Sequence, residues 1–472
     1  MNLLFSVLMV IGSGFLTLPE TNSKAAVRTN QGIETWITSP LDNILFQKQN
    51  TNLRFETTTN SFPSITIDAA KTYQTIDGFG NCLTGGSALV LNRMDKNKRA
   101  EILKELFSTK DNNIGISYLR ISIGASDLSD HLFTYDEMPA GQTDVNMEKF
   151  SMEAEKTDLI PVLKEILAIN PHLKIMGSPW TAPTWMKTNQ KFKGGSLKPE
   201  CYDAYARYFV KYIHEMKTEG IPIDAITIQN EPLHPGNTPS MYMPASEQAV
   251  FIKKSLGPAF KAAGVQTKII VYDHNANRID YPLEILNDRE AAQYVDGSAF
   301  HLYEGTIDEL SKVHQAHPSK NLYFTEQWVG APGNLASDLS WHVRTLIIGA
   351  TRNWCRNVLE WNMASDPHYD PHTSDGGCDQ CLGTITIDGN KVTRNPAYYI
   401  LAHAAKFVRP GSVRIDSNLP EKLPNVAFKT PDNRVVLIVI NDHISNQQFN
   451  ISYKGKTALV SLPQGAVGTF IW

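Results

Sequence analysis

The sequence predicts an α/β fold, a (β/α)8 barrel with a side β-sandwich built from both chain termini. Three observations predict it. Between about residues 65 and 400, a short β-branched run, a polar or Gly/Pro-rich loop and a longer helical pattern alternate, and eight such runs can be counted. Alternation of this kind makes parallel βαβ units, and eight of them favour a closed barrel over an open doubly wound sheet. The flanks differ, because Thr35–Ile67 and Ser412–Trp472 read as short strands with turns and little helical period. A chain of 472 residues holds both parts, since a barrel takes roughly 250.

The eight runs are Thr75–Gly80, Ile116–Gly124, Lys174–Trp180, Ile223–Asn230, Lys268–His274, Val295–Tyr303, Asn321–Glu326 and Asn357–Met363. Between them lie stretches such as Asp158–Ile169 and Tyr202–Lys217, with apolar residues spaced i, i+3, i+4 as on one face of a helix. Val435–Ile440 is an unbroken apolar run closed by Asn441-Asp442, the pattern of a buried strand. The expected organisation is a signal peptide over 1–25, N-terminal sandwich strands over 26–74, the catalytic barrel over 75–405 and the rest of the sandwich over 406–472.

Residues Leu3–Ile11 are apolar but too short to span a bilayer, and they suit the h-region of a signal peptide. Ser23-Lys24-Ala25 puts small residues at −3 and −1 of a cleavage site. With no second apolar run of membrane length, the expectation is a secreted, periplasmic or cell-surface protein without stable membrane insertion. Formal charge is −4 with no long basic run, and nucleic-acid binding needs a concentrated basic face, so no nucleic-acid partner is expected. Five thinly spread cysteines are no disulfide framework. The lone Cys378-Asp379-Gln380-Cys381 pair reads as a loop disulfide or two thiols ahead of a zinc site. Oligomeric state is not legible.

Chemistry is expected at the C-terminal ends of the strands, where barrel enzymes carry their active sites. Run four leads into Gln229-Asn230-Glu231-Pro232, and run seven ends Phe324-Thr325-Glu326. A carboxylate straight after an apolar strand is costly to bury without purpose. Runs four and seven lie across the barrel mouth from one another. Two carboxylates so placed can flank a glycosidic bond, one protonating the leaving oxygen while the other attacks C1. A salt-bridged strand-end carboxylate is the plainer alternative for either Glu alone.

The motifs Asp77-Gly78-Phe79-Gly80, Leu119-Arg120-Ile121-Ser122-Ile123-Gly124, Ser126-Asp127-Leu128-Ser129, Phe133-Thr134-Tyr135, Ser178–Lys187 (SPWTAPTWMK), Ala206–Lys211 and Asn230-Glu231-Pro232 occur in this order. From about residue 65 onward the chain thus resembles glycoside hydrolase family 30, the family of acid β-glucosylceramidase and endo-β-1,6-glucanases. The resemblance implies a side sandwich from both termini, and Glu231 as general acid/base with Glu326 as nucleophile in a retaining β-glycosidase. It also implies substrate-binding roles. Arg120 would keep Glu326 ionised and oriented. Asp127 would accept sugar hydroxyls, unless it only caps a turn. Trp180 would wall the pyranose, unless it is plain core. Asn230 would bind the 2-OH. On one face of run six, Tyr303 could donate to the nucleophile and His301 could pin neighbouring carboxylates, although a satisfied structural histidine fits as well. Trp361, beside Asn362 at the end of run eight, matches the family's second sugar-contacting tryptophan.

In the expected chemistry Glu231, its pKa raised by a less polar setting, protonates the departing oxygen while Glu326 forms the glycosyl ester, and no cofactor is needed. The loop after run eight departs from the glucosylceramidases: an asparagine-bearing segment there is replaced by Asp366–Cys378. That turns the expected substrate away from a lipid glycoside and toward a β-linked glucan, notably β-1,6-glucan, with glucosylceramide-like glycosides and β-xylosides as rivals. The loop's Asp and His residues are expected to be solvated polar turns ahead of a metal site. A non-catalytic carbohydrate-binding barrel would keep the fold and lose the glutamates; a structural surface protein would neither bind nor hydrolyse.

Overall fold

The computed structural model describes Met1 and residues 32–472. The signal peptide expected over 1–25 lies outside the described residues. Eight parallel strands close into a barrel: strand one Gly78–Leu83, two Tyr118–Ser122, three Lys174–Ser178, four Ala225–Thr227, five Lys268–Asn275, six Val295–His301, seven Asn321–Glu326 and eight Cys355–Asn362. Strand eight pairs with both strand seven and strand one, which shuts the ring. Each strand falls within or beside one of the eight runs read from the sequence. The first run divides, because Thr75 still belongs to the sandwich strand Ser64–Thr75 and the barrel begins at Gly78. Strand four is the shortest and stops at Thr227, leaving Glu231 in the following turn.

Successive side chains on a strand alternate between the inside and outside of the barrel. The interior floor is apolar: Tyr118, Met176, Ala225, Ile270, Ala299, Tyr323 and Leu359 form one buried cluster. Two residues further along most of these strands the inward side chain is polar or aromatic: Arg120, Ser178, Thr227, His301, Thr325 and Trp361, all buried. The floor thus excludes water from below while the next layer gathers the functional groups above it. Helices such as Leu159–Ile169 and Tyr202–Thr218 wrap the outside with their apolar faces inward.

Both chain ends build the second layer. Nine strands share one hydrogen-bonded order, in which Glu34–Ser39 pairs with the C-terminal strand Val467–Ile471 and Ser64–Thr75 lies between two strands of the C-terminal segment. The sheet folds over its own core, so that Phe449 near one edge meets Phe470 edge-on at 6.3 Å between ring centroids. Barrel and sandwich are joined through the last helix, Pro396–Ala405. Its His403 is buried, with Nδ1 2.8 Å from Thr469 Oγ1 and Nε2 2.8 Å from Thr38 Oγ1, one hydroxyl from each chain end. Burial pushes this imidazole down to about 3, so it is neutral and donates through only one nitrogen. Among the described residues no helix is long and apolar enough to cross a membrane.

Candidate active site

The upper barrel interior opens into a cavity of about 490 Å³ whose walls include Glu231 and Glu326. Glu326 ends strand seven, where the pairing with strand six slips by one residue after Phe324. Thr325 occupies the inward place two residues after Tyr323, and the slip accompanies the turn of the next side chain, Glu326, into the cavity. Glu231 reaches the same space from a turn in which its φ is +45°, a left-handed backbone conformation uncommon for a residue with a side chain. The turn is fixed on both sides: Asn230 N–H donates to Pro179 O at 2.8 Å and Glu231 N–H to Asp273 O at 3.0 Å.

Arg120 is fully buried; its Nε–H donates to Ser178 Oγ at 3.1 Å, and its two terminal nitrogens serve three further acceptors. Its guanidinium donates to Glu326 Oε2 at 2.6 Å, to Asp273 Oδ2 at 2.8 Å and to Asn230 Oδ1 at 2.6 Å. The last contact takes the oxygen of Asn230 and leaves its amide N–H groups as donors for a ligand. The guanidinium also lies under two indoles, 4.8 Å from the Trp180 ring and 5.8 Å from Trp361, and those rings are 5.4 Å apart. Trp180 Nε1–H is buried without an acceptor among the described residues. A buried donor without a partner is costly in a finished core and is satisfied by a ligand hydroxyl in a binding site. Tyr303 O–H donates to Glu326 Oε1 at 2.9 Å, although the residue as a whole is 38% exposed. Its hydroxyl is thus turned to the nucleophile while the residue also lines the cavity.

His301 stands between the carboxylates. Its Nδ1 lies 3.2 Å from Glu231 Oε1 and 3.7 Å from Glu326 Oε1, and its Nε2 lies 3.2 Å from Asp273 Oδ1. Burial opposes a charge on this imidazole, but Glu326, Asp273 and Glu231 raise it to about 9. Glu231 carries the opposite shift. Burial would raise its carboxyl, yet the hydrogen bond and charge of His301, with His274 and His234 behind, hold it below the ordinary value. This corrects the expectation of a raised Glu231. Glu231 and His301 titrate as an interacting pair, and the opposite shifts favour the proton on the imidazole, one hydrogen bond from the carboxylate. Burial pushes Glu326 up against His301 and Arg120, which pull it down; with a donor on each oxygen, the carboxylate is the form its contacts fit.

Asp127, 6% exposed, sits at the cavity wall, and burial, then Glu326 and Glu231, raise it to about 7. A carboxyl so placed can donate to or accept from a sugar hydroxyl near neutral pH. All nine residues singled out from the sequence (Arg120, Asp127, Trp180, Asn230, Glu231, His301, Tyr303, Glu326 and Trp361) are brought to this one site.

Asp273 is the residue that sequence reading missed. It is fully buried on strand five and accepts from Arg120, Thr227 Oγ1 (2.6 Å), Thr325 Oγ1 (2.6 Å) and Ser178 Oγ (3.2 Å), besides facing His301. Burial alone would raise it, but Arg120 and His301 hold it far below the carboxylate range, so it is a fixed negative charge. Parity along strand five would aim Tyr272 inward, two residues after Ile270. A register shift between Tyr272 and His274, with φ of +75° at Tyr272 and +69° at Asp273, turns Asp273 inward instead. The available signal was Tyr272-Asp273-His274, a polar pair ending an apolar run.

In the loop after strand eight, Asp366 Oδ1 accepts from the backbone N–H groups of His368 and Asp370, an ordinary polar turn. Cys378 and Cys381 form a disulfide, and Cys82, Cys201 and Cys355 are free and buried.

Residues 76–408 match the glycosyl hydrolase family 30 TIM-barrel domain, and residues 411–470 match that family's β-sandwich domain. The chain is 33% identical over 425 residues to endo-1,6-beta-D-glucanase neg1 of Aspergillus fumigatus, spanning 84% of this chain and 85% of that protein. It is 28% identical over 443 residues to lysosomal acid glucosylceramidase of Mus musculus, spanning 86% and 83%. Among solved structures, the endo-beta1,6-glucanase BT3312 superposes with a TM-score of 0.86 at 36% identity, covering 93% of this chain and 99% of that one.

Proposed function

The chain belongs to glycosyl hydrolase family 30, a family of retaining enzymes, and on that premise we propose that it cleaves β-1,6-glucan internally by double displacement through Glu231 and Glu326. One observation carries the double-displacement part of this reading. Glu231, His301 and Glu326 each offer an atom, and all three lie within 4.8 Å of one another. Retaining enzymes hold their two carboxyl groups about 5–5.5 Å apart, whereas inverting ones keep roughly 6.5–9.5 Å to admit a water between them.

In the first step Glu326 Oε attacks C1, the C1–O bond breaks, and Glu231 delivers the shared proton to the departing oxygen. Desolvation by the bound sugar favours the neutral Glu231–His301 pair over the charged one, which moves the proton from imidazole to carboxyl as substrate arrives. Arg120 and Tyr303 keep the attacking oxygens aimed, and Asn230 presents its amide to the ring hydroxyl next to C1. In the second step water gives a proton to the Glu231–His301 pair and attacks C1, releasing Glu326.

The choice of β-1,6-glucan rests on what the 33% and 36% identical relatives are named for. The test is digestion of a panel of β-1,3-, β-1,4- and β-1,6-glucans, xylan and glucosylceramide, with the anomer of the first product read by proton NMR. Internal cleavage of β-1,6-glucan with a first-formed β-anomer is expected. An α-anomer would sink the two-step scheme, preference for another polymer or the lipid would replace the substrate, and binding without turnover would make the chain a lectin. Export of the chain is part of the same proposal, and a secreted product whose N-terminus lies past residue 25 by mass spectrometry is the expected outcome.

A further inference from the structure

Beyond strand eight the chain does not return directly to a helix. Residues 363–382 run as a strap across the barrel mouth. Pro371 packs on Gly86 after strand one, where an added Cβ would stand 3.1 Å from the proline. Thr373 N–H donates to Asp127 O at 2.8 Å after strand two. Thr373 Oγ1 donates to Thr238 O at 2.6 Å after strand four, and Asp375 pairs with Lys193 at 2.8 Å after strand three. At Gly376, whose φ is +78°, an added Cβ would stand 2.9 Å from Gly236 O, so the strap meets the strand-four loop backbone to backbone. The return leg is fastened to the loop after strand seven, where Cys381 and Leu382 pair with Gly330 and Val329.

The Cys378–Cys381 disulfide closes the bend between the two legs. It lies on the cavity wall and packs in a cluster with Trp180, Trp361 and Trp328. Gly376 and Gly377 face the same cavity beside Asn237, on the loop that follows Glu231. A leaving oxygen protonated by Glu231 carries its sugar into this space. A stretch without side chains lets a ring approach the backbone there, and the disulfide with Trp328 offers an apolar surface to its C–H face.

We propose that the strap, held in shape by the Cys378–Cys381 disulfide, forms the wall of the subsite for the leaving-group sugar and sets the preference for an oligosaccharide over a small aglycone. The inference rests on the glycosidase reading above, because the leaving-group side is defined by Glu231. An aryl aglycone needs the proton and little else, whereas a second glucosyl unit needs a surface placed to within an ångström, and misplacement on that scale costs up to about 100-fold.

The test compares the wild type with C378S/C381S on a linear β-1,6-gluco-oligosaccharide and on an aryl β-glucoside. The ratio of the two kcat/KM values is expected to fall at least about tenfold in the variant, through a higher KM for the oligosaccharide. Should the variant misfold, the folded wild type is reduced with a phosphine, which takes up oxygen from water as two electrons and two protons convert the disulfide to thiols. Circular dichroism then checks the fold and mass spectrometry the thiols. Oligosaccharide binding to E326Q, with the disulfide intact and reduced, reads the wall without turnover. An unchanged ratio and unchanged binding, or an equal fall on both substrates, overturns the proposal. A wild type that hydrolyses neither substrate overturns the glycosidase reading instead, and the binding comparison still decides whether the strap holds sugar.

Discussion

Asp273 and His301 face each other inside the barrel, Oδ1 to Nε2 at 3.2 Å, with Glu231 on the far nitrogen of the same ring at 3.2 Å. Asp273 is ionised, so Nε2 carries the proton toward it and Nδ1 is turned to the acid. Nε2–H is thereby held toward Asp273 in either protonation state, so the proton exchanged with Glu231 is the one on Nδ1, and a buried residue away from the cavity decides this.

Asp273 therefore acts as a positioning residue, and D273N should show it in the pH profile. Removing its charge takes away one of the groups that raise His301, so the proton shared with Glu231 is lost at lower pH. The alkaline limb of kcat/KM for an aryl β-glucoside should move toward acid by about one pH unit, with a lower plateau. A lower plateau with an unmoved limb would mean that Asp273 only holds the fold.

E231Q tests the leaving-group step. With an alkyl or sugar leaving group, loss of the acid should lower kcat by roughly 10²–10⁴-fold, the usual worth of general acid catalysis. With a dinitrophenyl leaving group, which departs without a proton, the fall in the first step should be far smaller. Equal losses on both would count against Glu231 as the proton donor. E326Q should lose turnover on both substrates alike.

Burial and the two glutamates push Asp127 up to about 7, which gives a sign to D127N. The amide imitates the neutral acid and cannot imitate the carboxylate. The variant should lag the wild type most above pH 7 in kcat/KM, and the gap should narrow as pH falls below 7. A pH-independent gap would remove the ionised form from the binding role.

Lys187 is buried, and its ammonium donates to Thr181 Oγ1 (2.7 Å), Phe192 O (2.9 Å) and Ser240 O (2.7 Å). It ties the loops after strands three and four together beneath the site. Burial lowers it to about 7. K187M leaves the three oxygens without their donor and should cost about 1–3 kcal/mol per oxygen left dry, read by urea unfolding. Stability within about 0.5 kcal/mol of wild type would show that water replaces the ammonium.

The order of strands and helices was legible in the sequence because hydrophobic period is local: β-branched runs and i, i+4 stretches report which faces will be buried before any partner is known. The Asn230-Glu231-Pro232 and Phe324-Thr325-Glu326 strand ends were legible for the same reason, since a charge after an apolar run stands out in one dimension. Arg120, Asp127 and Trp180 came through ordered motifs and Trp361 through its place at the end of run eight, and it was the closed ring of strands that made them neighbours. Asp273 was not legible, because the register shift in strand five overrides the two-residue alternation and only the assembled sheet shows which way the strand turns. The proton's place was not legible either. Sequence offered Glu231 as the acid and His301 only as a residue that could pin carboxylates, whereas the structure brings the two within 3.2 Å across about 70 residues of chain, and a charge's energy depends on distance and burial that only tertiary structure supplies.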